Sequence, residues 1–492
     1  MQNRASGILL HPTSLPGKYG IGTLGKEAYA FIDFLIKAKQ TYWQILPLGP
    51  TGYADSPYQC FSSKAGNPFL IDFDLLIDEG LLEEKDIPEL IVEDETKINY
   101  GAVIEHKYKV LQTAKDKFDT DNTDYKVFTD NNKSWLDEYA LFMALKENFD
   151  KRPWYEWEDK YRSHDEKTLS KIKPELKDKI GFQKFIQYIF FKQWKQLKDY
   201  ANNNGIKIIG DIPIYVAMDS SDTWVCPELF QFDKNKSPLF VGGCPPDYFS
   251  TTGQLWGNPI FNYAEMEKDD FSWWVDRIKY NLELYDLIRV DHFRGFAGYW
   301  NIPYGEETAI NGEWIDGPGD KLFNAIKNVL GEIPIIAEDL GLITPDVIKL
   351  RDNFNLPGMK ILQFAFDSGE VNDYIPHNYI KNCVVYTGTH DNETVNGWYE
   401  NAKEADKEYI LNYIHSSGEN IAWDLIRCAW ASVANTAIAP MQDLLNLGAE
   451  ARMNLPGTTI NNWQWRMQKG DLNDTITDKL ASLTELYARN KK

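Results

Sequence analysis

Short, fully apolar runs recur along the chain. Each ends in a turn or a polar residue, and most are followed by a stretch whose apolar positions share one helical face. The first run, Ile8-Leu9-Leu10, feeds His11-Pro12-Thr13-Ser14. After Gly25 the residues Ala28, Phe31, Ile32, Leu35 and Ile36 keep the spacing of an amphipathic helix, and a second run at 43–48 completes a βαβ unit. Further strands are predicted at 206–213, 287–291, 333–337, 360–366, 383–386 and 437–440. Between them lie helical patterns. One stops at Asn204-Gly205, a pair suited to a left-handed terminus; others cover 270–285 and 322–330; another opens at Thr344-Pro345, an N-cap followed by proline. Continuous apolar strands suit a parallel sheet buried on both faces. The alternation predicts an α/β fold, a single (β/α)8 TIM barrel over residues 1–492 with inserted, mainly helical subdomains and no separate C-terminal β-domain.

Two stretches break the rhythm. Residues 54–180, with helical patterns at 103–118 and 134–149 and the aromatic stretch Trp154-Tyr155-Glu156-Trp157, read as a helical subdomain inserted after the second strand. Most of its aromatics are expected to fill its own small core. Residues 217–285 form a second insert containing a lid loop around 245–259, too long for a simple connection. In that loop Gly253 and Gly257 flank Gln254 and Trp256, so it is expected to be mobile and to present one amide and one indole to a ligand. A Gly/Pro-rich loop is expected at 303–319.

Charge narrows the function. With 52 basic and 73 acidic residues the net charge is −21, which repels nucleic acid and anionic membranes and fits a neutral substrate. Five scattered cysteines show neither disulfide nor zinc spacing and point to a reducing cytoplasm. No apolar run has signal-peptide or membrane-span length. The sequence leaves the oligomeric state open.

The chemistry concentrates where strands end. Asp291 closes the run Leu287-Ile-Arg-Val, and Arg289, two residues earlier, points to the same face and is expected to keep Asp291 ionised. Glu338 follows Ile335-Ile336-Ala337, an apolar setting that raises a carboxyl pKa, and Asp391 follows the seventh strand. Three carboxylates converging on one rim fit glycoside chemistry. A retaining enzyme needs an ionised nucleophile and a protonated acid about 5–5.5 Å apart. A metal site using His292 and His390 is disfavoured, because the first strand offers only His11 and the chain has seven histidines in all.

Three motifs, Arg289-Val-Asp-His-Phe, Ala337-Glu-Asp-Leu-Gly and Thr389-His-Asp-Asn-Glu, resemble the fourth, fifth and seventh strand signatures of the α-amylase superfamily. His11-Pro-Thr-Ser-Leu-Pro-Gly, Ser56-Pro-Tyr-Gln, Gly210-Asp-Ile-Pro-Ile-Tyr-Val, Pro245-Pro-Asp-Tyr-Phe-Ser, Gly253-Gln-Leu-Trp-Gly-Asn-Pro and Asn461-Asn-Trp are similar to the 4-α-glucanotransferases, or amylomaltases. The resemblance implies Asp291 as nucleophile, Glu338 as general acid/base and Asp391 as transition-state stabiliser. It also implies substrate binding by Arg289, His390, Asp211, Tyr58, Ser56, Gln254, Trp256 and Asn461. The substrates would be maltooligosaccharides, amylose or glycogen-type α-glucans, with no cofactor. Structural calcium is not expected, since Tyr215-Val216 stands where amylases carry an Asn-His pair whose Asn binds that ion. The competing readings are a hydrolase of the same superfamily and a non-catalytic glucan-binding barrel.

Overall fold

A computed structural model describes residues 4–246, 250–367 and 372–490. The twelve strands it describes are β1 (Ala5–Leu9), β2 (Tyr42–Gln44), β3 (Lys207–Ile212), β4 (Phe240–Cys244), β5 (Gln254–Pro259), β6 (Leu287–Val290), β7 (Gly298–Pro303), β8 (Glu313–Asp316), β9 (Ile335–Ala337), β10 (Gly358–Ile361), β11 (Cys383–Tyr386) and β12 (Thr436–Pro440). Eight of them form one sheet in the order β10-β11-β12-β1-β2-β3-β6-β9, every pair parallel. The ends meet where Ala337 N–H donates to Pro357 O at 2.9 Å, closing a barrel. Burial explains the sequence pattern, since β1, β2, β6, β9, β11 and β12 are buried at every position. The sixth barrel strand is shorter than expected: after Ile361 the chain turns through Leu362–Phe364, and Gln363 Nε2 donates to Glu393 O at 2.8 Å on the rim.

Between β2 and β3 the chain runs through helices that include Tyr100–Lys117, Lys133–Asn148 and Lys177–Asn203. The first packs Val103, Val110 and Leu111 into the barrel's own core, whereas Leu141, Phe142, Leu145, Trp154, Trp157 and Leu169 make a separate cluster. Trp224, from the stretch after β3, completes that cluster.

The expected lid and the expected loop at 303–319 are both partly strand. β5, β4, β7 and β8 form a four-stranded antiparallel sheet, with Val241 opposite Ile302 and Tyr299 opposite Ile315. Residues 247–249 of the lid lie outside the described residues. Gly253 (φ 69°) and Gly257 (φ 74°) adopt left-handed backbone, and the β4/β5 register shifts between Val241 and Gly243, opposite Gly257. Gly253 closes the turn before β5, and Gly257 sits at the bulge next to Trp256.

At the other end of the barrel Arg489 is fully buried and donates to the carbonyls of Ala5 (2.9 Å), Trp430 (2.8 Å) and Ala434 (3.1 Å). Burial pushes its guanidinium down to about 9. Arg489→Met removes these three hydrogen bonds, leaving the Trp430 carbonyl only its bond from Arg4 Nη2, and is expected to cost about 3 kcal/mol or more in urea unfolding, since charged hydrogen bonds and stranded buried acceptors each count for about 1–3.

Candidate active site

Asp291 and Glu338 stand at the carboxyl ends of the neighbouring strands β6 and β9, and Asp391 follows β11, with β10 between β9 and β11. In the β3/β6 register Asp211 lies beside Arg289, so both side chains share a face. Arg289, 3% exposed, donates from Nη1 to Asp211 Oδ2 at 2.6 Å and pairs through Nη2 with Asp291 Oδ1 at 3.0 Å. Burial raises Asp211 to about 7 despite the guanidinium. Asp291 is also raised: burial outweighs Arg289, and Asp391 adds to the rise. Arg289 favours the ionised form of Asp291, as expected from the sequence, and burial opposes it. The guanidinium opposes a rise that desolvation wins.

Glu338 follows β9 directly. Its Oε2 accepts from the backbone N–H of His292 at 2.6 Å and its Oε1 from Leu340 N–H at 3.1 Å. His292 can offer that N–H because it holds left-handed backbone (φ 50°, ψ 47°), a strained conformation for a non-glycine residue. Burial first, and then Asp291, push Glu338 up to about 8. Asp291 pairs with the guanidinium and Glu338 receives only backbone donors, so of the two carboxyls Glu338 is the one disposed to hold a proton. An acid poised this way should lose donor kcat/KM as pH rises through about 8, roughly tenfold per unit beyond it. A pH profile of initial rates checks this; Glu338→Gln should remove the limb. Because the folded pKa lies above the ordinary 4.5, the folded chain binds the extra proton, so this group's contribution to stability also falls between about pH 4.5 and 8.

Asp391 is held from three sides. Asn454 Nδ2 donates to its Oδ1 at 2.6 Å, His390 Nε2 lies 3.3 Å from its Oδ2, and Arg452 Nη2 donates to its carbonyl at 2.9 Å. His390 is buried and lowered to about 4, chiefly by desolvation. Its Nε2 also lies 2.8 Å from the Tyr58 hydroxyl, which donates to Asp211 Oδ2 at 2.9 Å. Tyr58 and His390 stack at 14° with centroids 5.3 Å apart. Asn454 and Arg452 escaped the sequence reading, since they lie some sixty residues beyond Asp391 in a stretch without a chemical motif. Asn454→Ala frees one carboxylate oxygen and is expected to lower kcat roughly 10- to 100-fold with less effect on KM, checked by steady-state kinetics beside an unchanged unfolding midpoint.

The remaining predicted residues divide. Trp256 meets the His292 ring edge-on with centroids 4.7 Å apart, and its indole N–H donates to Gln254 Oε1 at 3.1 Å, so both adjoin the Asp291–Glu338 rim. Ser56 shapes a turn: its Oγ accepts from Tyr58 N–H at 3.2 Å and thereby helps set Tyr58. Asn461 is exposed on left-handed backbone (φ 63°), and among the described residues no hydrogen bond joins it to the carboxylates. Its neighbours do the building, Asn462 bonding Leu455 N–H at 2.9 Å and Trp463 lying 5.8 Å from the Tyr58 ring. Among the described residues no group of three or more His, Cys, Asp or Glu side chains is placed to hold a metal ion.

A parallel eight-stranded barrel whose rim carries a guanidinium-bridged pair of aspartates and a glutamate with a raised pKa is the arrangement of an enzyme acting at glycosidic bonds. Comparison with known proteins makes this specific. The glycoside hydrolase 77 family model, described as 4-alpha-glucanotransferase, matches residues 10–473. The chain is 52% identical to the 4-alpha-glucanotransferase of Clostridium butyricum, over 98% of this chain and 100% of that one, and 48% identical to that of Streptococcus pneumoniae, over 99% and 98%. Its fold superposes with a TM-score of 0.96 on the amylomaltase from Streptococcus agalactiae in complex with acarbose, at 44% identity and 99% coverage of each. The amylomaltase of Corynebacterium glutamicum, at 18% identity and a TM-score of 0.79, shares the fold over 99% of this chain and 74% of that one. The chain belongs to the 4-α-glucanotransferase family, and its activity is 4-α-glucanotransfer on α-glucans.

Proposed function

We propose that this chain transfers α-1,4-glucan segments by a retaining double displacement through a covalent glycosyl-enzyme. Asp291 attacks the anomeric carbon while Glu338 protonates the leaving oxygen; the 4-hydroxyl of glucose or another glucan, deprotonated by Glu338, then reforms an α-1,4 bond. Asp391 stabilises the transition state by gripping hydroxyls of the distorted sugar, with Arg289, His390 and Asp211 in the same hydrogen-bond network. The observation that carries the reading is the unequal treatment of two neighbouring carboxyls: Arg289 binds Asp291, and Glu338 is raised to about 8. Tyr58 and Trp256 offer flat faces to sugar rings, and preferring a sugar over water requires an acceptor side that binds glucose and limits water. The similar amylomaltase in complex with acarbose supports a carbohydrate ligand for this cleft. Maltooligosaccharides, amylose and glycogen-type glucans are the donors and acceptors. No helix among the described residues is long and apolar enough to cross a membrane. Five free cysteines suit a cytoplasmic home.

Incubation of the purified protein with maltotriose and EDTA tests the reading. Glucose together with a ladder of longer oligomers is expected; shorter sugars alone would mean that water is the acceptor.

A further inference from the structure

Behind the carboxylates lies a small cavity of about 20 Å³, lined by His11, Ser14, Leu46, His390, Gln442 and Met453 among others. That is room for one water molecule. Two buried histidines face it with complementary needs. His11, 6% exposed, lies just past β1, and its Nδ1 is 3.3 Å from the backbone N–H of Leu46. A backbone N–H can only donate, so His11 Nδ1 accepts and the ring's proton sits on Nε2. Burial and His390 together keep His11 neutral, lowered to about 3. His390, 5% exposed, is the mirror case. Its Nε2 faces the Asp391 carboxylate and the Tyr58 hydroxyl, while its Nδ1 is buried without a partner. An unpartnered buried acceptor is costly, and a neutral imidazole has two tautomers to choose between.

We propose that His11 is a positioning residue for glucan transfer: its Nε2–H holds one water against His390 Nδ1 in the cavity both line, fixing His390 as the Nε2–H tautomer. His390 Nε2–H then donates toward Tyr58, the Tyr58 O–H donates to Asp211 Oδ2, and Asp211 shares that oxygen with Arg289, which holds Asp291. A strand-one histidine with no place in the chemistry thus orders every donor between β11 and the nucleophile. Were the His390 proton on Nδ1, Nε2 would set a lone pair against Asp391, and the Tyr58 hydroxyl would face two acceptors with one proton. The inference rests on the proposed roles of His390 and Asp291, but the state of the ring can be read without turnover.

The experiment is long-range proton–nitrogen correlation on the full-length protein labelled at its seven histidines, with His390 assigned by His390→Gln. Wild type is expected to show His390 protonated at Nε2 and not at Nδ1. His11→Phe, which keeps the ring's bulk and loses the donor, should mix the two tautomers and lower kcat for maltotriose transfer roughly 10- to 100-fold with KM changed less. His11→Gln, whose amide N–H can hold the same water, should restore the single tautomer and most of the rate. A wild-type His390 protonated at Nδ1 overturns the proposal. So does His11→Phe with tautomer and kcat unchanged, or a fall in both variants with His390 still a single Nε2–H tautomer. Should His11→Phe fail to fold, the wild-type and His11→Gln spectra decide.

Discussion

Asp291→Asn is expected to lower kcat for maltotriose disproportionation on the order of 10⁴-fold while leaving the fold intact, the scale of loss seen when a catalytic group is removed from a concerted set. An amide cannot form the acylal link to the anomeric carbon, so no shared intermediate remains for an acceptor to open. The structural disturbance is small. Asn keeps an oxygen for Arg289 Nη2, and Arg289 stays anchored through Nη1 to Asp211. Relief of like charge also favours the variant, because Asp391 and Glu338 no longer face an anion at this position. Unfolding midpoints equal to or above wild type, beside the lost rate, separate chemistry from stability.

Glu338→Gln has the second large effect, and its size depends on the donor. With maltotriose, glycosylation needs a proton on a poor leaving group, so a loss of about 10²–10⁴-fold is expected, the usual worth of general acid–base catalysis. With an α-maltosyl fluoride donor, whose leaving group needs little protonation, the first step should proceed and the second should stall for want of a base. The variant then accumulates its intermediate. An added small anionic nucleophile such as azide, which needs no deprotonation, is expected to restore turnover and give an α-glycosyl azide. Equal losses with both donors would remove Glu338 from the acid role. The amide still accepts from His292 N–H through its oxygen, so the local geometry should survive.

The barrel could be read in the chain because its strands are buried on both faces, which writes them as unbroken apolar runs such as Cys383–Tyr386. Asp291 and Glu338 could be read for a related reason: each follows its strand without an intervening residue. What depended on distant pairing could not. The antiparallel sheet joins segments far apart in the chain, Val241 to Ile302, and its strands carry Gly242, Gly243 and Gly257, which read locally as loop. The support of Asp391 by Asn454 and the left-handed backbone of His292 are tertiary facts with no local signature. Family motifs pointed to the 461–463 turn, where Asn462 and Trp463 make the contacts within the protein and Asn461 is exposed. The partner of Asp291, Arg289, could be read two residues away on the same strand, whereas the burial that opposes it is a tertiary fact.

The central claim is that one carboxylate, Asp291, carries the glycosyl group between donor and acceptor. Its most direct test is the intact mass of Glu338→Gln after brief exposure to α-maltosyl fluoride, followed by peptide mapping. The account predicts a mass increase of one maltosyl unit, localised to the peptide bearing Asp291 and absent in the Asp291→Asn, Glu338→Gln double variant. An adduct on another residue, or fluoride release with no adduct at any time, would contradict it.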